Sequence, residues 1–199
     1  MEARVVDRRA WLSSTSSLLG AVGLATPVQA VSEAFSTYED TIHNFSIDIP
    51  SSWTSTTQSL QDRRTIKLWF DPADPKATLL FIAFTPIRDD FTSLGSFGSV
   101  DQVAAQTILP KGNIAGVDVQ SEMLSAVSKN QAYYFDYVQQ VPDVAPQTHF
   151  RTIFTLQQGA TGGAGAVLVT ITAQTPEERY SQGGMKALFD TIINSYKRI

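Results

Sequence analysis

The groups that could do chemistry in this chain are few. There are two histidines, His43 and His149, and no cysteine. Without thiols, disulfides, cysteine nucleophiles, zinc–thiolate sites and iron–sulfur clusters are excluded. A metal site or acid–base pair would have to be built from imidazole and carboxylate. His149 stands at the start of an expected strand, beside Pro146 and Gln147, and Glu177-Glu178 follow the next strand. Antiparallel neighbours would bring these groups to one edge of a sheet. One imidazole with one or two carboxylates suits a weak Zn or Mn site. The same residues also fit an exposed histidine at a strand end beside a solvated acidic helix start, and spacing alone leaves both readings open.

Other constellations carry less chemistry. Gly159-Ala160-Thr161-Gly162-Gly163-Ala164-Gly165 has the composition of a phosphate loop, but it leads into a strand rather than a helix and lacks the lysine. It reads as a hairpin tip. No G-x-S-x-G nucleophile elbow is present. The acidic neighbours Glu39-Asp40 and Asp89-Asp90 are adjacent in extended or loop segments and point apart, so neither is an acid–base pair. Arg63, Arg64 and Lys67 form a basic patch on a strand. It suits docking of an acidic partner surface, or else guards an edge strand by charge. Trp53, after Pro50-Ser51-Ser52, reads as a plug at the end of a sheet core rather than as an interface anchor.

The elements that would position these groups follow from periodicity. The chain of 199 residues is 43% hydrophobic and 17% charged, with three Trp, six Tyr and eleven Phe. That is enough apolar material for one packed domain. A formal net charge of −4 and no basic run exclude a nucleic-acid footprint. Phe45, Ile47 and Ile49 alternate with Ser46 and Asp48, which predicts a half-buried strand ended by Pro50. Further strands are expected at Thr65–Phe70, Thr78–Thr85, Val117–Val127, Ala132–Val141, Phe150–Leu156 and Ala166–Ala173. Lys129-Asn130-Gln131 is the turn between two of them. Ser99 with Gln102 three residues on predicts a capping box opening a helix over Val100–Leu109, closed by Pro110. Thr175 and Pro176 start a turn or helix. Met185, Leu188, Phe189, Ile192 and Tyr196 recur at three and four and predict a terminal helix with one apolar stripe. The order predicts an α+β fold, one antiparallel sheet with helices packed on it.

Residues 1–30 read as a targeting segment. Arg8-Arg9 precede a short apolar stretch ending in Val28-Gln29-Ala30, the small-x-small pattern of a signal-peptidase site. Twin arginines before a modest apolar run are the signal of the Tat export route. The run is shorter than the roughly 20 residues a membrane span needs. Cleavage after Ala30 would leave a domain over residues 31–199.

Several segments, taken in order, resemble the PsbP family of photosynthetic membranes. They are Tyr38 with Asp40, then Phe45-Ser46-Ile47-Asp48-Ile49-Pro50-Ser51-Ser52-Trp53, then Phe91 to Val100, then Tyr133-Tyr134-Phe135, then Ala173-Gln174 before the last helix. The resemblance implies an α/β/α sandwich, a central antiparallel sheet flanked by helices, and an address in the chloroplast thylakoid lumen. The best-known members are extrinsic subunits of photosystem II that help retain calcium and chloride at the oxygen-evolving complex. Others assist assembly of photosystem I, photosystem II or the thylakoid NADH-dehydrogenase-like complex. Only about seven residues separate Ala30 from Tyr38, where plant PsbP carries a longer arm, so the resemblance favours the auxiliary or assembly branch. It also implies a metal position at a late-strand His and an acid after the next strand, here His149 and Glu177, with Zn, Mn or Ca as the ions considered.

The expectation is therefore a non-catalytic protein, peripherally attached to the lumenal side of a photosynthetic complex, with no nucleic-acid partner. A metal or small-ligand carrier built on His149 and Glu177 is the second reading, and an enzyme with an unrecognised site is the third.

Overall fold

Period-two alternation governs most of the chain. The structure, a computed structural model, describes residues 33–60, 64–88, 90–109, 113–114, 117–158 and 165–199. Among these the strands are β1 (Phe35–Asp40), β2 (Phe45–Pro50), β3 (Thr54–Ser59), β4 (Thr65–Phe70), β5 (Leu79–Pro86), β6 (Asn113–Ile114), β7 (Val117–Asp118), β8 (Gln120–Lys129), β9 (Ala132–Val141), β10 (Ala145–Gln158), β11 (Ala166–Pro176) and β12 (Lys197–Arg198). The helices are α1 (Val100–Val103), α2 (Glu177–Ser181) and α3 (Gly184–Ser195). A 3-10 turn (Leu94–Phe97) precedes α1, and a π-turn (Ala104–Ile108) follows it.

The main sheet has the order β3-β4-β5-β11-β10-β9-β8, and each neighbouring pair is antiparallel. A smaller antiparallel sheet has the order β1-β2-β12. β6 and β7 pair with each other. The β8–β9 hairpin turns on Asn130 and Gln131, both at positive φ (51° and 58°). That is the twist-matched geometry of a two-residue hairpin loop, which Asn tolerates well.

Two cores form, one on each side of the main sheet. On one side Leu80, Ile82, Ile153, Val169 and Ile171 pack with Phe189 and Ile192 of α3 and with Phe45 and Ile47 of β2. Trp53 belongs to this core, as the sequence suggested. On the other side Tyr133, Phe135, Tyr137 and Phe154 meet Val103 of α1 and Ala104 of the π-turn, with Phe97 and Leu94 at the margin. Phe97 stands edge-on to Phe154 at 5.2 Å between ring centroids.

The molecule is richer in strand than the sequence suggested. The capping box is present: Ser99 Oγ accepts from Gln102 N–H, and Gln102 Oε1 accepts from Ser99 N–H. The helix it opens is short, however. After one α-turn the ladder widens, and Leu109 N–H donates to Ala104 O, five residues back. Leu109 precedes Pro110, whose ring disfavours helical geometry for the residue before it, and Leu109 is extended (φ −83°, ψ 120°). β1 and β3 were not legible in the sequence. β3 is Thr-Ser-Thr-Thr-Gln-Ser, exposed throughout, and offers no apolar alternation. β10 also starts earlier than Phe150, because Gln147, Thr148 and His149 hide its first turns from a hydrophobicity pattern.

Gly98 sits at φ 109° and ψ −176°, a region open essentially only to glycine. A Cβ there would lie 2.7 Å from Gln102 Oε1, inside the capping box. Gly98 O also accepts from Tyr133 O–H at 2.9 Å, which ties the loop to the sheet. Gly98→Ala is expected to cost about 1–3 kcal/mol, read as a lower urea midpoint at unchanged m-value. An unchanged midpoint would show that this loop does not need the glycine.

Candidate functional site

His149 lies on β10 just after the β9–β10 ladder shifts register between Ala145 and Thr148. Such irregularities re-aim the side chains that follow them. Its Cα partners are Val138 on β9 and Thr175 on β11. Asp136 is therefore its diagonal neighbour on the same face, and Glu177 starts α2 two residues beyond Thr175. The side chains converge as these positions require. His149 Nδ1 is 2.6 Å from Glu177 Oε2, and Nε2 is 2.7 Å from Asp136 Oδ1. The Tyr180 ring stacks on the imidazole at 3.4 Å between centroids and 13° between planes. His149 is only 2% exposed. This corrects one of the two sequence readings: the histidine is not an exposed strand end. Glu177 leads a helix whose first turn is anchored rather than merely solvated.

The cluster continues along the same face of the sheet. Arg151 Nε is 3.5 Å from Asp136 Oδ2, and Arg151 Nη1 donates to Asp190 Oδ1 at 2.6 Å and to Tyr180 Oη at 3.1 Å. Ser181 Oγ donates to Glu177 Oε1 at 3.0 Å. Burial raises the Tyr180 phenol above its ordinary value, with the Arg151 hydrogen bond opposing it. With a carboxylate on each ring nitrogen, an imidazolium satisfies both and a neutral ring satisfies one.

The two carboxylates sit on opposite ring nitrogens, so one ion on His149 cannot use both. His149 Nδ1 with Glu177 remains as a two-donor set that water would complete, which fits a weak ion only. Both carboxylates are partly open, with 29% of the Glu177 and 25% of the Asp136 side chain exposed against 3% for His149. Among the described residues, no group of three or more His, Cys, Asp or Glu is placed to hold a metal ion.

The basic patch is arranged differently from its expectation. β4 lies between β3 and β5, so Lys67 is not on an edge strand. Lys67 Nζ donates to Tyr38 Oη, lies 4.7 Å from the centre of that ring and is 3.9 Å from Asp40 Oδ2. Arg64 is described, whereas Arg63 and the leader residues Arg8, Arg9 and Ala30 lie outside the described residues. So do Asp89 and most of the glycine-rich stretch.

Tyr38 and Asp40 form a hub of their own. Asp40 Oδ2 accepts from Tyr38 O–H at 2.8 Å. Asp40 Oδ1 accepts from the N–H groups of Ile42 and His43 and faces His43 Nδ1 at 3.0 Å. This Asx-type turn joins β1 to β2 and lets Asn44 take a positive φ of 54°. Burial alone would raise the Asp40 carboxyl. The hydrogen bonds from Tyr38 and His43 outweigh it and hold the carboxyl below its ordinary value. Burial and the neighbouring carboxylate push the Tyr38 phenol well up.

Sequence reasoning found His149 and Glu177 but missed Asp136, Arg151, Tyr180 and Asp190. A signal was available for one of them: Arg151 stands two residues after His149 on the same strand, so alternation puts it on the same face.

Comparison with known proteins agrees with this architecture. Residues 33–198 match the sequence profile of the PsbP family. The chain is 27% identical over 157 residues to PsbP domain-containing protein 3, chloroplastic, of Arabidopsis thaliana, a match covering 78% of this chain. It spans 62% of that relative's length. The solution structure of cyanobacterial PsbP (CyanoP) from Synechocystis sp. PCC 6803 superposes with a TM-score of 0.57 at 19% identity, covering 88% of this chain and 99% of that one. That likeness is one of fold.

The Asp40 hub makes a pH prediction. Its folded carboxyl titrates below the unfolded one, so its contribution is full above the unfolded value of about 3.9 and is lost as pH falls through the folded value. Asp40→Asn should be less stable than wild type at pH 6, by about 1–3 kcal/mol for a buried carboxylate whose donors lose their partner. The gap should narrow on acidification below pH 4. Urea titrations across that range check it; a gap independent of pH would remove the ionised carboxylate from the account.

Proposed function

We infer that this chain, which belongs to the PsbP family, serves as a non-catalytic accessory protein that binds a larger assembly. The observation that carries this reading is the state of His149. Its two ring nitrogens and one ring face are taken up by Asp136, Glu177 and Tyr180 of the same chain. A general base or nucleophile-activating histidine needs a nitrogen directed at a reacting group, whereas this one ties three elements together.

The partner we propose is a photosynthetic complex, photosystem II, photosystem I or the NADH-dehydrogenase-like complex, met peripherally on its lumenal side as an extrinsic or assembly factor. The chloroplastic relative supports a chloroplast address. The Arg8-Arg9 leader with a cut after Ala30 supports the thylakoid lumen and a mature domain over residues 31–199. We read the fold as the family's helix-flanked sandwich, because α3 covers one face of the main sheet and α1 part of the other. Arg63, Arg64 and Lys67 are the proposed docking patch. Lys67 keeps 33% of its side chain exposed and lies beside Asp40 of the β1–β2 turn.

Affinity purification of the tagged protein from thylakoids at low salt tests this. Subunits of one such complex should co-elute, and an Arg63→Glu/Arg64→Glu variant or high salt should release them. Recovery of the protein alone, even after crosslinking, would overturn the reading.

A metal-carrier role has one observation in its favour, the approach of His149 Nδ1 to Glu177 at 2.6 Å. It predicts weak Zn or Mn binding that Glu177→Gln reduces at least tenfold in a calorimetric titration. Equal binding by the variant would dismiss it.

A further inference from the structure

A second polar cluster faces a cavity rather than closing on itself. Between the β1–β2 turn and strands β4, β5 and β11 lies a cavity of about 280 Å³. Phe84 forms its apolar floor, with Val167 beside it and the His43 ring against Phe84 at 4.5 Å between centroids. Ile42 stands at the rim, 60% exposed. Lys67 marks one end, its ammonium 5.9 Å from the centre of the Phe84 ring. We propose that this cavity binds a compact amphipathic carboxylate, a small molecule with one anionic group held by Lys67 and a ring or branched apolar body lying on Phe84.

The charge arrangement selects the anion. Asp40 also lines the cavity, but its oxygens are taken up by Tyr38 O–H, the Ile42 and His43 amides and the His43 ring. Lys67 has three donors. One goes to Tyr38 Oη; Asp40 at 3.9 Å pairs with the ammonium by charge but lies beyond hydrogen-bond reach, so donors remain for a further acceptor. An ammonium with donors left over, set beside an apolar floor, attracts an acceptor that carries negative charge. Thr65, two residues before Lys67 on the same strand, also lines the cavity.

The apolar surface selects the rest of the ligand. An inorganic anion would lose hydration against Phe84 and Val167 without compensation. A neutral apolar molecule would cover Lys67 and leave its donors unmet. The volume lies just under the usual range for drug-sized pockets, roughly 300–1,000 Å³, so the body must be compact. Exposed apolar surface at the rim, here Ile42, is what such a ligand would cover. The site shares no residue with the His149 cluster; it shares Lys67 with the proposed docking patch, and small-molecule binding by the isolated protein tests it without any partner.

The test uses the full-length protein and three probes: phenylacetate, phenylacetamide with the same ring and no charge, and acetate with the charge and no ring. Amide shifts in a 15N-correlated NMR titration should saturate with phenylacetate at Ile42, His43, Thr65 and Val167. Phenylacetate should bind at least tenfold more tightly than either control. Lys67→Met should bring phenylacetate down to the level of the amide. Ile42→Glu, which changes only an exposed side chain and keeps the backbone amide that meets Asp40, should weaken it at least tenfold by repulsion. Equal affinity for the three probes, shifts centred elsewhere, or full phenylacetate binding by Ile42→Glu would overturn the proposal.

Discussion

The register of β10 is the constraint on which the rest depends. It pairs with β11 over Thr148–Gln158 and with β9 over most of the same length. Side chains alternate faces, so a slip of one residue would exchange every one of them. In the observed register Phe150, Thr152 and Phe154 point to the α1 side, where Phe154 meets Tyr133 and Phe135. Ile153, Thr155 and Gln157 point to the α3 side, where Gln157 Nε2 donates to Tyr196 Oη at 3.0 Å. His149 and Arg151 have the same parity as Ile153. The polar cluster is thus placed by the alternation that builds the core, and neither can shift without the other.

That dependence explains how α2 persists. A helix of five residues is far below the length at which an isolated helix is stable. Three of its side chains are held from outside. Glu177 is anchored by His149, and Tyr180 stacks on the same imidazole. Arg179 donates to Asp71 Oδ2 at 2.6 Å and to Thr78 Oγ1 at 2.7 Å, with Asp74 at 3.5 Å. Thr78 and Thr175 hydroxyls meet at 2.8 Å in a fully buried contact. The turn before β5 and the end of β11 are therefore clasped through one helical turn. Arg179, Asp74 and Glu177 each keep about a third of the side chain exposed, so water screens these pairs and each adds only modestly to stability.

Legibility in the sequence followed the kind of signal each part carries. β2, β4, β5, β9, β11 and α3 announce themselves through periodic apolar residues, and their observed bounds lie within a few residues of the expected ones. β3 has no apolar pattern, because an exposed edge of hydroxyl side chains is held by its backbone ladder to β4. The pairing of His149 with Glu177 was readable because antiparallel neighbours bring a strand start opposite the next strand's end. The second carboxylate was not, since Asp136 belongs to the preceding strand and its diagonal position follows only once the β9–β10 register is known. Tyr38 and Asp40 could be noticed only as a point of resemblance. Their chemistry, a phenol and two amides closing on one carboxylate, depends on the turn they build.

The two histidines show how one side chain takes opposite roles under one fold. Each faces a carboxylate fixed by local structure, Asp40 for His43 and Asp136 for His149. His149 then meets a second carboxylate and an aromatic lid, so its hydrogen-bonding capacity is spent on joining β9, β10 and α2. His43 meets the face of Phe84 and the wall of a cavity instead. The difference follows from position. His149 lies in an interior strand, where each flank is covered by another element, whereas His43 lies in a turn beside a sheet margin. A buried polar group without partners is costly, so an interior histidine tends toward closure. The cavity beside His43 is left open instead at Lys67, a partly exposed ammonium on β4 facing that turn, and there the proposed ligand would bind.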